Sequence, residues 1–197
     1  MDQSLMPLRR DRGHTGGMRS ARVAPVLAVL ALVAGLAPPA AAALPTERTL
    51  TDPVEPGKAF DVVSVTITSA AEPGRKAKVV IEHTRAVRVR DAIDFWIDTD
   101  DDRVPDLFLT GPSFSEYAVY KTRSWDHHGR EITDRGCASL RMRGSKSVVK
   151  VDPSCLAPSE RFAVSVRSYQ MHAAARTDDY VPHQHKLSKK VLSYLPA

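Results

Sequence analysis

Four aspartates, Asp98, Asp100, Asp102 and Asp106, stand at positions 1, 3, 5 and 9 of one short stretch. Alternate carboxylates in a tight turn can converge on one hard cation, and calcium loops use this spacing. With Asp101 and Arg103, the stretch holds five acids against one base, a net charge of −4. Like charges about 6 Å apart repel by roughly 0.7 kcal/mol in water, so a bound cation would relieve the loop. In that arrangement Asp101 points to solvent and takes no part. The same residues also suit a solvated hairpin turn, where Asp is favoured without any ion. Both readings stay open at this level.

Other chemistry-bearing residues are more scattered. Trp96, Tyr117, Tyr120, Trp125 and Tyr169 offer flat rings for a ligand platform, with Trp96, Tyr120 and Trp125 as the ligand-binding candidates. Trp96 shares a strand pattern with Phe95 and Ile97, so only one of these faces enters a core. Asp91 and Asp94 are the candidate carboxylate pair for a hydrolase, although nothing in the sequence sets their separation. His83, His127, His128, His172, His183 and His185 read as surface or turn residues rather than zinc ligands. There is no G-x-S-x-G, H-E-x-x-H or Gly-rich phosphate loop, and no catalytic residue is assigned. Cys137 and Cys155 are the two cysteines, 18 positions apart. They match no C-x-x-C metal spacing and are expected to pair as a disulfide.

The N-terminus supplies a destination. Arg19 and Arg22 precede the apolar run Val23–Ala37, and Ala40–Ala43 follow Pro38-Pro39. Fifteen apolar residues fall short of the roughly 20 needed to span a bilayer, and the order of charged, apolar and small residues is that of a cleaved secretory signal. Residues 1–43 are therefore expected to leave between Ala43 and Leu44, with Met18 as an alternative initiator. A secreted, extracellular chain without a membrane span is implied, in a compartment where the cysteines oxidise. The net charge of +5 is carried largely by the signal. Residues 44–197 hold 23 basic and 21 acidic side chains, which gives no reason to expect a nucleic-acid partner.

These residues must be positioned by strands. Val63, Val65 and Ile67 alternate with Ser64, Thr66 and Thr68, and the same period of two recurs around Val79–Ile81, Ala138–Met142, Val149–Val151 and Phe162–Val166. Val87–Arg90, Asp91–Asp98, Leu107–Leu109 and Tyr117–Tyr120 add further extended runs between turn residues. About eight short strands about ten residues apart, with no helical stripe, indicate an all-β antiparallel sandwich, immunoglobulin-like or jelly-roll-like. Residues 44–58 are expected as an extended leader and 59–197 as one domain. Its tail from about 177 is less patterned, with Val191–Leu195 suited to a last short strand.

The signal segment, the stretch Phe95–Asp106 (FWIDTDDDRVPD) and the late Cys-hairpin-Cys together resemble a group of uncharacterised secreted actinobacterial β-sandwich proteins. The likeness covers most of residues 58–170 and implies one exported sandwich, with no catalytic residue carried over. The D-x-D-x-D core also resembles EF-hand and thrombospondin-type calcium repeats. Arg103 replaces the EF-hand glycine, Leu109 the bidentate Glu, and Pro105 argues for a strand rather than a helix after the loop. The expectation is an exported, non-catalytic binding domain, calcium-stabilised if the loop holds its ion. An extracellular glycan, a wall component or a protein would be its partner. A hydrolase using rim carboxylates and a purely structural domain are the alternatives.

Overall fold

The computed structural model of the protein describes residues 43–196. The expected signal segment lies, up to residue 42, outside the described residues. Alternation builds the first sheet. In β1 (Glu47–Thr51), β2 (Val62–Thr68) and β3 (Ala77–His83), one face is polar, while β2 and β3 bury Val65, Ile67, Val79 and Ile81 completely. The hairpin β8 (Ala138–Arg143) and β9 (Lys146–Val151) joins β3 through β9, giving the antiparallel order β1-β2-β3-β9-β8. Gly144, at φ 59°, takes the left-handed position in that hairpin's turn, where a side chain would be strained.

The second sheet is built around β4 (Asp91–Asp98), all eight residues of which are buried. Beside it lie β5 (Leu107–Pro112) and β10 (Arg161–Gln170), continued outward by β6 (Ala118–Thr122) and β7 (His128–Glu131) on one side and β11 (Asp179–Val181) on the other. The two-residue β12 (Val191–Leu192) also pairs with β10. Inward side chains of the two sheets form one core, including Phe60, Val65, Ile81, Phe95, Leu109 and Phe162. Each such fully buried side chain stabilises the fold by about 1.5–3 kcal/mol. The sheets approach closely at Gly111. A Cβ there would stand 2.8 Å from Leu140 Cδ2 and from Tyr117 Cβ, so only glycine fits.

The all-β antiparallel sandwich is the architecture expected, with twelve strands among the described residues rather than about eight. The additional strands are short. The residues expected as a leader contain β1, and the tail contains β11 and β12. In β7 (HGRE) all four residues are exposed, so no hydrophobic pattern marks it. Val87–Arg90, expected as extended, instead forms a bend that ends with Arg90 at φ 76°. The disulfide Cys137–Cys155 is present, with Cα atoms 5.5 Å apart, and it closes the open end of the β8–β9 hairpin.

Candidate functional site

Strand alternation divides β4 between two environments. Ile93, Phe95 and Ile97 enter the core, which turns Asp94, Trp96 and Asp98 to the outer face of the sheet. Register then sets their neighbours. Asp94 is paired with Arg167 on β10 and Thr110 on β5, while Trp96 is paired with Ser165 and Phe108, and Phe108 with Tyr120 on β6. A charged row and an aromatic row therefore run side by side across the strands.

The charged row is fully bonded. Thr110 Oγ1 donates to Asp94 Oδ1 at 2.6 Å, and Arg167 Nη1 donates to Oδ2 at 3.1 Å. The other edge of the guanidinium, Nε and Nη2, donates to Asp178 Oδ2 at 3.0 and 2.6 Å. Its face lies 4.3 Å from the centroid of the Tyr169 ring. Burial pushes the Asp94 carboxyl above its usual range, opposed by Thr110 and Arg167. Burial also disfavours the Arg167 charge, but Asp178 and Asp94 outweigh it and hold its pKa above the ordinary arginine value.

The aromatic row is extended by the turn after β6. The Thr122 hydroxyl lies 2.8 and 2.7 Å from the carbonyls of Ser124 and His127, pinning that turn. Trp125 thereby comes 5.7 Å from Trp96 and 5.4 Å from His185, while His128 stacks on Phe108 at 3.8 Å. Asp126 reaches His185 Nε2 at 3.5 Å. A pocket of about 210 Å³ opens between Asp94, Trp96, Trp125, His128, Arg167 and His185. Drug-sized ligands use roughly 300–1,000 Å³, so this one suits a single small ring. Trp96 is 6% exposed, and among the described residues its buried indole N–H has no partner. Trp125, His128 and His185 form the accessible rim.

The acidic loop lies at the other end of β4 from Asp91. Asp98, Asp100 and Asp106 each bring an oxygen within 4.8 Å of the other two, while Asp102 stays outside this group. The Asp102 carboxylate accepts the Val104 N–H at 2.7 Å instead. Asp106 Oδ2 accepts the Thr99 N–H and hydroxyl, both at 2.7 Å, and Asp98 Oδ1 accepts the Asp101 N–H at 3.0 Å. Among the described residues Asp98 Oδ2 is buried with no partner, and burial raises the Asp98 pKa, with Lys190 pulling it back. Asp101 is exposed and stands outside this group, as expected of a bystander to it. It pairs with Lys190 and, at 3.4 Å, with Arg161, so side chains from distant strands and the tail already supply two positive charges.

Of the ligand-binding candidates, Trp96, Tyr120 and Trp125 do gather on one face, and Tyr169 stands near them under Arg167. Tyr117 does not join them, because it packs against the core. Asp91 and Asp94 do not form a pair: an odd separation along one strand puts them on opposite faces. Asp91, fully buried, is held by Arg85 through bonds of 2.6 and 2.8 Å and accepts the Arg88 N–H at 2.6 Å. His83 is no surface residue either. It is stacked on Phe60 at 3.8 Å, bonded to Ser147, and burial lowers its pKa to about 4. Arg167, Tyr180 and Gln184 are pocket residues that the linear reading passed over. Arg167 has the outward parity of β10, but its pairing with Asp94 rests on a register between strands 73 residues apart. No protein-family description matches the chain, and no curated protein matches it.

Proposed function

We propose that the chain is an exported, non-catalytic binding domain that holds one sugar ring of an extracellular glycan on the outer face of the seven-stranded sheet. The observation that carries this reading is the half-exposed Trp125 sharing one small pocket with the buried Asp94 and its half-buried partner Arg167. An indole offers the apolar face of a pyranose a stacking surface, while carboxylate, guanidinium and imidazole groups bond its hydroxyls. Asp94 acts as a fixed acceptor here rather than an acid–base group, since Thr110 and Arg167 occupy both its oxygens. The test is retention of the secreted protein on insoluble wall glycan and on soluble polysaccharides, with reducing ends assayed in parallel. Wild type is expected to bind without releasing sugar, and Trp125→Ala to bind at least tenfold more weakly. Equal retention of the two proteins overturns the assignment, and release of reducing ends that Asp94→Asn abolishes would make the chain a hydrolase.

A second reading concerns the acidic loop, where we infer that calcium binds Asp98, Asp100 and Asp106. Its support is the convergence of these carboxylates together with the unpartnered, buried Asp98 Oδ2. Calcium at about 100 times Kd would stabilise the fold by about 2.7 kcal/mol. Melting curves with calcium and with chelator are expected to differ for wild type and to coincide for Asp100→Ala. Asp101→Ala is expected to melt lower in both conditions, through loss of its Lys190 and Arg161 pairs, yet to keep the calcium response. Coincident wild-type curves would leave the loop an ion-free turn.

A further inference from the structure

At the end of the second sheet opposite the acidic loop, three chain segments meet. They are the bend before β4, the turn after β5 and the turn after β10. Ser113 Oγ donates to the Arg88 carbonyl at 2.6 Å, Ser113 N–H to the Asp91 carbonyl at 2.7 Å, and Met171 N–H to the Arg90 carbonyl at 2.8 Å. Within a residue of these bonds stand Val89, 72% exposed, Phe114, 77% exposed, and Met171, 37% exposed. Single exposed apolar residues are ordinary, but three on bonded neighbouring turns make a patch. The backbone holds them there. Arg90, Phe114 and His172 all take positive φ, at 76°, 57° and 69°, a conformation uncommon for residues with side chains and rarer still for a bulky one. The patch is flanked by exposed Arg88 and Arg90, and among the described residues neither makes an ion pair.

We propose that this end of the sandwich docks on an anionic lipid surface, with Phe114, Val89 and Met171 entering the headgroup boundary and Arg88 and Arg90 engaging phosphates. The charge is what selects this occupant. An apolar protein partner would need no arginines around Val89, whereas apolar side chains beside unpaired cations match a bilayer whose headgroups are negative. The inference does not rest on the pocket reading, and the pocket lies along the sheet face rather than at this tip.

The experiment is co-sedimentation of the secreted protein with vesicles of phosphatidylcholine alone and of phosphatidylcholine mixed with phosphatidylglycerol. Binding to the mixed vesicles is expected to exceed binding to the neutral ones at least tenfold and to fall in 0.5 M salt (about 3–4 Å of Debye screening). Arg88→Gln with Arg90→Gln is expected to lose roughly 30-fold, about fivefold per arginine. Phe114→Ser is expected to lose at least tenfold, and its melting curve, matched to wild type, certifies the fold. Phe114→Trp is expected to show a blue-shifted emission on mixed vesicles only. No binding to mixed vesicles, equal binding to both kinds, or unchanged binding of the variants overturns the proposal. So does a concentration-dependent dimer that Phe114→Ser dissolves in the absence of vesicle binding, which would make the patch a contact between copies.

Discussion

Asp52 holds its proton to a higher pH than most aspartates do. Burial first, and then the neighbouring charges of Asp179, Glu55 and Asp61, raise its pKa to about 6. A group raised in the folded state binds its proton more tightly there than in the unfolded chain. Its stabilising contribution is therefore complete below about pH 3.8 and is lost as pH rises through about 6. His83 works in the opposite sense. Its folded pKa of about 4 means that its contribution is complete above pH 6.5 and disappears as pH falls towards 4. The two slopes oppose one another between about pH 4 and 6. Asp52→Asn should melt with wild type near pH 4 and above it at pH 7.5, with the gap opening through pH 6; a pH series of melting temperatures measures this. None of this was visible in the linear chain. Asp52 and Asp179 lie 127 positions apart, and a histidine two residues beyond Ile81 looks like a strand end until Phe60 is seen to cover its ring. The parity of Trp96 against Phe95 and Ile97 was legible, because period two needs only adjacent residues.

Among the elements, the β8–β9 hairpin is exposed on one side, since β8 is one of the two free edges of its sheet, opposite β1. Among the described residues β8 has β9 as its single strand neighbour, and the Cys137–Cys155 bond ties the ends of both strands together, where Asp152 N–H also donates to the Cys137 carbonyl at 2.8 Å. Closing an 18-residue separation stabilises the fold by about 3 kcal/mol on the chain-entropy account. Cys137→Ser with Cys155→Ser is thus expected to lower urea-unfolding stability by about 3 kcal/mol and to leave the ligand pocket, on the other sheet, able to bind. Loss of pocket binding at a denaturant-free temperature well below melting would contradict that separation. The hairpin was readable from its alternation and its Gly144-Ser145-Lys146 turn. The edge strands β1, β7 and β11 were not, because backbone pairing to a sheet margin makes no demand for apolar side chains on two-residue spacing, whereas β12 falls within Val191–Leu195, where a last short strand was expected.

Across the whole molecule, β4 sets an axis. The basic, apolar turns lie at its first residue and the acidic loop at its last, roughly 25 Å away for an eight-residue strand. A domain lying on a negative surface by its basic end would therefore hold the acidic loop away from it and leave the pocket facing sideways, open to long chains running past. The order of pairing has another outcome. β3 has no partner on its inner side until β9 has been made, and β4 waits for β10, whose own neighbours β11 and β12 lie in the final twenty residues. The five-stranded sheet is complete once β9 has been made, but the seven-stranded sheet waits for β10 and β11, so a chain that stops short of them has no second layer to close the sandwich. Were the chain exported unfolded, as proposed above, this delay would be an asset: it would remain threadable while most of it is still being made, and would lock only once β10, β11 and β12 had arrived on the far side.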